Sequence, residues 1–543
     1  MNSLLLLAIA AALFLIAYVT YGKWLSTKWG IDISREVPAK KLQDGIDYVP
    51  TDAKVVLGHH FSSIAGAGPI TGPILASVFG WLPVYLWIIL GSIFIGGVHD
   101  FGALFASLRH DGKSIGEIMK INIGQKGKML FNIFAYAAII LVVAAFTDIC
   151  ASTFQYLSDT PDNITGARAG TSSLLFIVLA IIFGYFVYRK SVKLSVATIL
   201  GVACLFFCIF IGYVFPVVKL SKTIWDVILI IYIALASILP VWILLQPRDY
   251  LCSFLLYTMV IGGFFGVIFA SPTMELSAFK GFTVNNQTLF PFLFVTVACG
   301  AVSGFHSLVA SGTTAKQVRS EKDARLIGYG AMLIEGVIAV LALIAVSYTA
   351  TSEGTPAAIF ANGIATFMNK FGLPLDIGKV FITLTFSAFA LTSLDTATRI
   401  ARYLFQEMFD DAPAKIKNIF ANMYVATGVT IALSAALLGY GYDKIWPMFG
   451  ASNQLLAALA LLAISAWLAK SKKKTAMTVI PMIFMFIVSL TALGKLIMTN
   501  LFGETTNILL GVISIILFVL AIILVINSIV SLSKAKKQET HSA

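Results

Sequence analysis

The sequence predicts an all-α, polytopic membrane protein of about fifteen transmembrane helices, with two inverted five-helix repeats at its core. Three observations predict it. Of the 543 residues, 59% are hydrophobic and 12% are charged, about half the roughly 25% usual in soluble domains, and the mean hydropathy is +0.91. Fifteen apolar runs are long enough to cross a bilayer, and Lys and Arg are distributed one-sidedly between them. The second run carries a cluster of Gly and Pro, and the seventh carries Pro240 in its interior. They lie five apart and run in opposite directions, as the opening helices of inverted repeats do.

The runs cover 4–22, 55–79, 82–108, 129–152, 172–188, 194–215, 224–246, 250–271, 290–312, 327–350, 376–394, 418–440, 446–469, 477–494 and 507–532. The first has no basic residue before it and exceeds the apolar stretch of a typical signal peptide, so a retained anchor helix is expected. With the N-terminus outside, the inward segments 23–54, 109–128, 189–193, 247–249, 313–326, 395–416, 470–476 and 533–543 hold 29 of the 38 Lys and Arg, and the outward segments hold 7. One missed or invented helix would invert every later loop and erase that bias. The expected topology is therefore multi-pass in the cell membrane, N-terminus outside and C-terminus cytoplasmic. On this reading the net charge of +12 is an orientation signal and not a nucleic-acid surface.

Four segments follow: 1–54, an anchor helix and cytoplasmic interfacial stretch containing Trp24 and Trp29; 55–403, the core with the two inverted repeats; 404–533, C-terminal transmembrane helices; and 534–543, a basic cytoplasmic tail expected to be unstructured. The connection Thr351–Leu375 has room for a short amphipathic helix outside. All five cysteines lie within apolar runs, so no secreted disulfide framework is expected.

The stretch "GHHFSSIAGAGPITGP" (Gly58–Pro73) sits where an apolar helix is expected. In a helix interior Gly costs about 1 kcal/mol and Pro about 3 kcal/mol relative to Ala. Lipid-facing backbone cannot be broken, because freed N–H and C=O groups would lack partners. Breaks persist where they line a cavity, and in secondary transporters they form the substrate site near the midplane. His60, Ser62, Ala65, Gly66 and Gly68 are therefore candidate substrate-binding residues. The alternative is close helix packing through small residues. In the run 224–246, "ASILPVWILLQPRDYL" places Pro240 inside the apolar stretch and Pro247, Arg248 and Asp249 at its inner end. Gln246 joins the substrate candidates there.

His59, His60, His99 and His306 all fall within runs, in the cytoplasmic half of the expected topology, with Asp100, Glu335 and Asp395 at comparable depths. Buried ionisable groups in a membrane face the bundle interior and pair, and histidine titrates near neutral pH. His59, His99, Asp100, His306, Glu335 and Asp395 are the candidate proton-coupling groups. Interhelical hydrogen bonding and metal binding are the competing readings. Ser307 and Ser311 lie on one helix face and are candidate Na⁺ ligands, against the alternative of bonding back to their own helix. There is no H-E-x-x-H and no C-x-x-C, so the metal reading has no specific motif behind it and neither a resident metal nor a protease is expected; without a Walker A motif no ATP-driven pump is indicated, and no cofactor is expected.

Five segments, "GHHFSSIAGAGPITGP", "GGVHDFGALFASLRHDGKSIGE", "LPVWILLQPRDYLCS", "SGFHSLVASGTTAKQ" and "SAFALTSLDTATRIARY", taken in order, resemble the signature segments of the carbon starvation protein A (CstA) family. The resemblance implies a secondary transporter of peptides or pyruvate. It also implies distant kinship with the amino acid–polyamine–organocation superfamily, whose LeuT-like core is two inverted five-helix repeats. On that pattern the second to eleventh helices form the core, with one helix added before and about four after. The resulting expectation is a symporter that imports pyruvate or short peptides, coupled to H⁺ with Na⁺ as the alternative ion. A cation or metal transporter using the His/Asp cluster, and a membrane nutrient sensor, are the rivals.

Overall fold

The computed structural model describes residues 2–542 except 46, 160–162, 191, 241–242, 350–353 and 505. The apolar runs form α1 (Ser3–Trp29), then α2 (Ala53–Ile64) and α3 (Gly68–Ala76), and α4 (Trp81–Arg109). A short α5 (Ile115–Asn122) precedes the long α6 (Gln125–Phe154). Next come α7 (Thr165–Val187), α8 (Leu194–Val214), α9 (Lys222–Ile238) and α10 (Leu245–Ala270). A small antiparallel hairpin, β1 (Thr283–Val284) with β2 (Gln287–Thr288), leads into α11 (Leu289–Thr296) and α12 (Gly304–Gly312). The rest is α13 (Glu321–Thr349), α14 (Pro356–Asn369), α15 (Leu375–Met408), α16 (Ala414–Phe420), α17 (Met423–Leu438), α18 (Tyr442–Lys470), α19 (Ala476–Phe502) and α20 (Ile508–Ser542).

Among the described residues, 11 helices are long and apolar enough to cross a membrane, and two bent pairs, at 44° for α2 with α3 and 59° for α16 with α17, bring the number to 13. The remaining two expected spans are not long straight helices. The run 224–246 becomes the 17-residue α9, which stops at Ile238, two residues before Pro240. Proline lacks an amide and disfavours helix in the residue before it, so Pro240 lies in the connection to α10 and not inside a span. The run 290–312 is broken into pieces, described below.

Several boundaries move outward because charged turns find partners within the fold. Trp24 and Trp29 belong to α1 rather than to an interfacial loop, and Trp29 is buried with its ring stacked on Phe101 at 5.0 Å. The helix α15 continues from the expected end at 394 through the charged turn Asp395–Arg402 to Met408. The tail, expected to be unstructured, continues α20 through Ser542, in keeping with the good helix propensity of its Ala, Lys, Gln and Glu. The helix α14 occupies the Thr351–Leu375 connection and packs against α10, α13 and α15.

The helices α6 and α15 lie side by side along their length at the centre of the bundle. Over its apolar stretch α18 is 94% buried, whereas α8 is only 22% buried. Thus α18, expected as a C-terminal addition, is an interior helix, and α8 presents Ile199, Leu200, Phe207 and Phe210 outward. The chain entering α2 is stitched to the chain leaving α12. Val49 N donates to Lys316 O (3.1 Å) and Thr51 N to Gln317 O (2.9 Å), making a parallel bridge between Thr51 and Val318. Asp52 pairs with Arg319 at 2.7 Å beside it.

A candidate transport site between two broken helices

The first break follows from local chemistry. Asp52 caps α2 by accepting from Lys54 N at 3.0 Å. The helix ends at Ile64, Ala65 leaves helical geometry (φ −75°, ψ 66°), and α3 restarts at Gly68 with Pro69 in its first turn, where a missing amide costs nothing. The glycines here allow close approach. A Cβ on Gly66 would lie 2.6 Å from Ser393 Oγ and 2.9 Å from the Phe146 ring, and one on Gly68 would lie 2.5 Å from both Cβ and Sγ of Cys299. Backbone therefore packs directly on side chains of α15, α6 and the second break.

That second break was not legible in the sequence. After α11, a helical turn at Ala298–Ala301 gives way to extended Val302 and Ser303 before α12. Buried backbone groups freed this way need partners, and α18 supplies several. Asn453 Oδ1 accepts from Phe305 N at 2.9 Å while its Nδ2 donates to Ser303 Oγ at 3.1 Å. Gln454 Nε2 donates to Phe294 O, and Trp446 Nε1 to Thr296 O at 3.4 Å. From α4, Ser92 Oγ reaches Gly300 O at 3.2 Å.

Four of the predicted ionisable residues meet beside this break. His99 Nδ1 donates to Asp100 Oδ1 at 2.7 Å, and His306 Nδ1 donates to Asp100 Oδ2 at 2.8 Å. On its other side, His306 Nε2 faces Glu335 Oε2 at 3.4 Å. All four side chains are fully buried, and they join α4, α12 and α13. With both Nδ1 atoms bonded to one carboxylate, each Nε2 is turned away from Asp100. His99 Nε2 and both Glu335 oxygens lack hydrogen-bond partners among the described residues. His60 is buried in α2, its Nδ1 2.9 Å from Thr314 Oγ1.

His59 and Asp395 belong to a different cluster. His59 Nδ1 lies 3.7 Å from Asp249. Asp395 pairs with Arg248 and accepts from Tyr232 OH at 2.8 Å. Arg399 donates to Ala236 O and Leu239 O, both at 2.7 Å, and Arg402 to Ser237 O at 2.6 Å. These carbonyls end α9, where cations are favoured, and this explains why α15 keeps its charged turn buried. The arginines and Tyr232 were not singled out as site residues, since their partners lie far away in sequence.

The other candidates are placed as follows. Ser62 is buried with its hydroxyl unpartnered among the described residues, and Gln246 is half-buried in the first turn of α10. Ser307 and Ser311 donate back into their own helix, to Gly304 O and Ser307 O, each at 2.7 Å. Among the described residues no group of three or more His, Cys, Asp or Glu side chains is arranged to hold a metal ion.

A helical membrane protein in which two broken helices meet around buried ionisable groups has the anatomy of a secondary transporter. The family profile described as "Carbon starvation protein CstA" matches residues 2–352 and 346–492. The chain belongs to this family, and its curated relatives bear the names of transporters and not of enzymes. It is 31% identical over 601 residues to the pyruvate/proton symporter BtsT of Escherichia coli, covering 92% of this chain and 82% of that protein. It is 33% identical over 546 residues to the peptide transporter CstA of Helicobacter pylori, covering 86% and 78%. A solved manganese transporter of Eremococcus coleocola aligns at a TM-score of 0.48 and 10% identity, covering 91% of this chain and 99% of that one.

Proposed function

We propose that this protein is a secondary active transporter importing pyruvate or short peptides across the cell membrane, driven by protons. The observation that supports it best is the buried chain His99–Asp100–His306–Glu335, which joins α4, α12 and α13 beside the second break. A proton arriving on an Nε2 changes the charge of a water-poor cluster built on a discontinuous helix, so protonation and helix position are coupled. The substrate is read as lying against Ala65–Gly68, near His60 and Ser62, once the glycine contacts of the closed state part. The orientation is N-terminus outside, resting on the Lys and Arg bias. A single cysteine replacing Lys472 should then react only with reagents applied from the cytoplasmic side.

The packing supports a revised inverted repeat. The helix α10 lies against α2, α14 and α15, as α18 lies against α12, α5 and α6. The helices α9 and α17 pack on each other and both touch α6 and α15. The counterpart of the broken α2–α3 is then α11–α12, not the run 224–246, with α7–α8 as an inserted hairpin and α18 closing the second half.

Uptake of labelled pyruvate and of a dipeptide into proteoliposomes, with a pH gradient or a Na⁺ gradient imposed separately, tests the function. Accumulation driven by the pH gradient alone is expected. Accumulation driven by Na⁺ alone would replace H⁺ as the coupling ion, and no accumulation of either solute would overturn the proposal.

A further inference from the structure

A buried arginine lies apart from the histidine chain. Arg248, in the first turn of α10, is 1% exposed, and a guanidinium at such depth needs a partner. Its Nη1 donates to Asp395 Oδ2 and, at 2.6 Å, to Tyr232 OH, which donates to the same Asp395 oxygen. This uses the guanidinium poorly. Arginine and a carboxylate commonly pair through two parallel N–H···O bonds. Here Asp395 offers one oxygen, and its Oδ1 has no hydrogen-bond partner among the described residues. Among the described residues the second amine, Nη2, makes only a long 3.4 Å contact with Ala388 O.

The neighbouring charges do not complete the fork. Asp249 is buried, and neither of its oxygens has a hydrogen-bond partner among the described residues. Arg399 and Arg402 are committed to the carbonyls ending α9. The site also lies at the right place. Ala388 and Asp395 bracket Ser393 on α15, whose hydroxyl donates to Ser63 O at 3.2 Å and packs on Gly66. Arg248 therefore spans the two turns of α15 that touch the first break.

We propose that Arg248 anchors the carboxylate of the transported substrate, and that Asp395 occupies this anchor until a proton releases it. The proposal rests on the transport function above and adds how solute and proton are linked. A proton taken up on Asp395 neutralises it and weakens its hold on Nη1. The incoming carboxylate then takes Nη1 and Nη2 together, so one anion replaces another and one proton accompanies each carboxylate. Pyruvate and the C-terminus of a peptide both present that group. The titratable groups around Asp395 are Asp249 and Cys252 on α10, Tyr232 on α9 and Cys150 on α6, with Arg399 on its own helix. His59 on α2 faces the cluster through Asp249.

The test is binding of pyruvate, a dipeptide and the same dipeptide amidated at its C-terminus to the purified full-length protein, from about pH 5 to 8. Wild type is expected to bind pyruvate, the free dipeptide or both, more tightly as pH falls, and the amidated dipeptide at least about ten-fold more weakly than the free one. The ligand that binds identifies the source of the carboxylate. Asp395→Asn, which keeps the size of the side chain and its bond from Tyr232, is expected to bind tightly at neutral pH with a flattened pH profile and to lose gradient-driven accumulation. Arg248→Gln/Asp395→Asn removes both charges together. It should unfold near the wild-type temperature yet bind at least about ten-fold more weakly. Wild-type binding by this double variant, or a wild-type pH profile in Asp395→Asn, would overturn the anchor and leave the transport function standing. If wild type binds none of the three ligands, both fail.

Discussion

Gly68 and Cys299 touch across the two breaks so closely that a Cβ on the glycine would lie 2.5 Å from both Cβ and Sγ of the cysteine. The collision involves the root of the cysteine side chain, which cannot swing away. Gly68→Ala should therefore lower the thermal unfolding temperature in detergent, by the equivalent of about 1–3 kcal/mol typical of overpacking. Adding Cys299→Gly removes both colliding atoms and should recover much of the loss. A Gly68→Ala protein as stable as wild type would show that the two breaks separate easily.

His99→Gln removes the terminal imidazole of the buried chain but keeps a side chain able to donate to Asp100. It should lose pH-gradient-driven uptake far more than exchange at equal pH. Equal losses in both assays would place His99 in packing, not coupling. Asp100→Asn leaves one acceptor oxygen where the carboxylate serves two imidazoles and should be the more destabilising change, since an unsatisfied buried group costs about 1–3 kcal/mol.

Asn453→Leu strips the acceptor from Phe305 N and the donor from Ser303 Oγ. An unsatisfied buried group costs about 1–3 kcal/mol, so the unfolding temperature should fall. Hydrogen exchange should rise at the start of α12, at Phe305 and His306, before it rises in α18. Asn453→Asp keeps the acceptor and should exchange more slowly there than Asn453→Leu.

The cap of α2 is acid-sensitive in a defined direction. The bond from Lys54 N, aided by Arg319, holds the Asp52 carboxyl below its ordinary value of 3.8. A carboxyl with a lower pKa folded than unfolded contributes stability above the unfolded value, and that contribution is lost as pH falls through the folded one. Hydrogen exchange in residues 51–56 should accelerate below about pH 4. Asp52→Asn should remove that acid response.

The two breaks differed in legibility because of what causes them. Gly66, Gly68 and Pro69 announce a break by propensity alone, and the structure places one there. The second contains only Gly300, Ser303 and Gly304 within a strongly apolar run, and it is held open by Asn453 and Gln454, about 150 residues away. No local pattern carries that information. The same holds for the ionisable groups. Their types and depths mark them as buried, but His59 and Asp395 separate from His99, Asp100, His306 and Glu335 only because α10 and α9 bring Arg248 and Tyr232 to one group while α12 and α13 close on the other. Arg399 and Arg402 looked like the end of a span because the carbonyls that receive them lie on α9.

The short parallel bridge between Thr51 and Val318 ties the end of α2 remote from its break to the chain leaving α12. Mechanically this is a yoke. Each half-helix starts from its own break, yet the far ends are lashed together through Val49 and Thr51 to Lys316 and Gln317, with the Asp52–Arg319 pair as a clasp. A door built this way does not swing on two independent leaves. Either both half-helices travel as one lever, or the lashing comes undone before either moves.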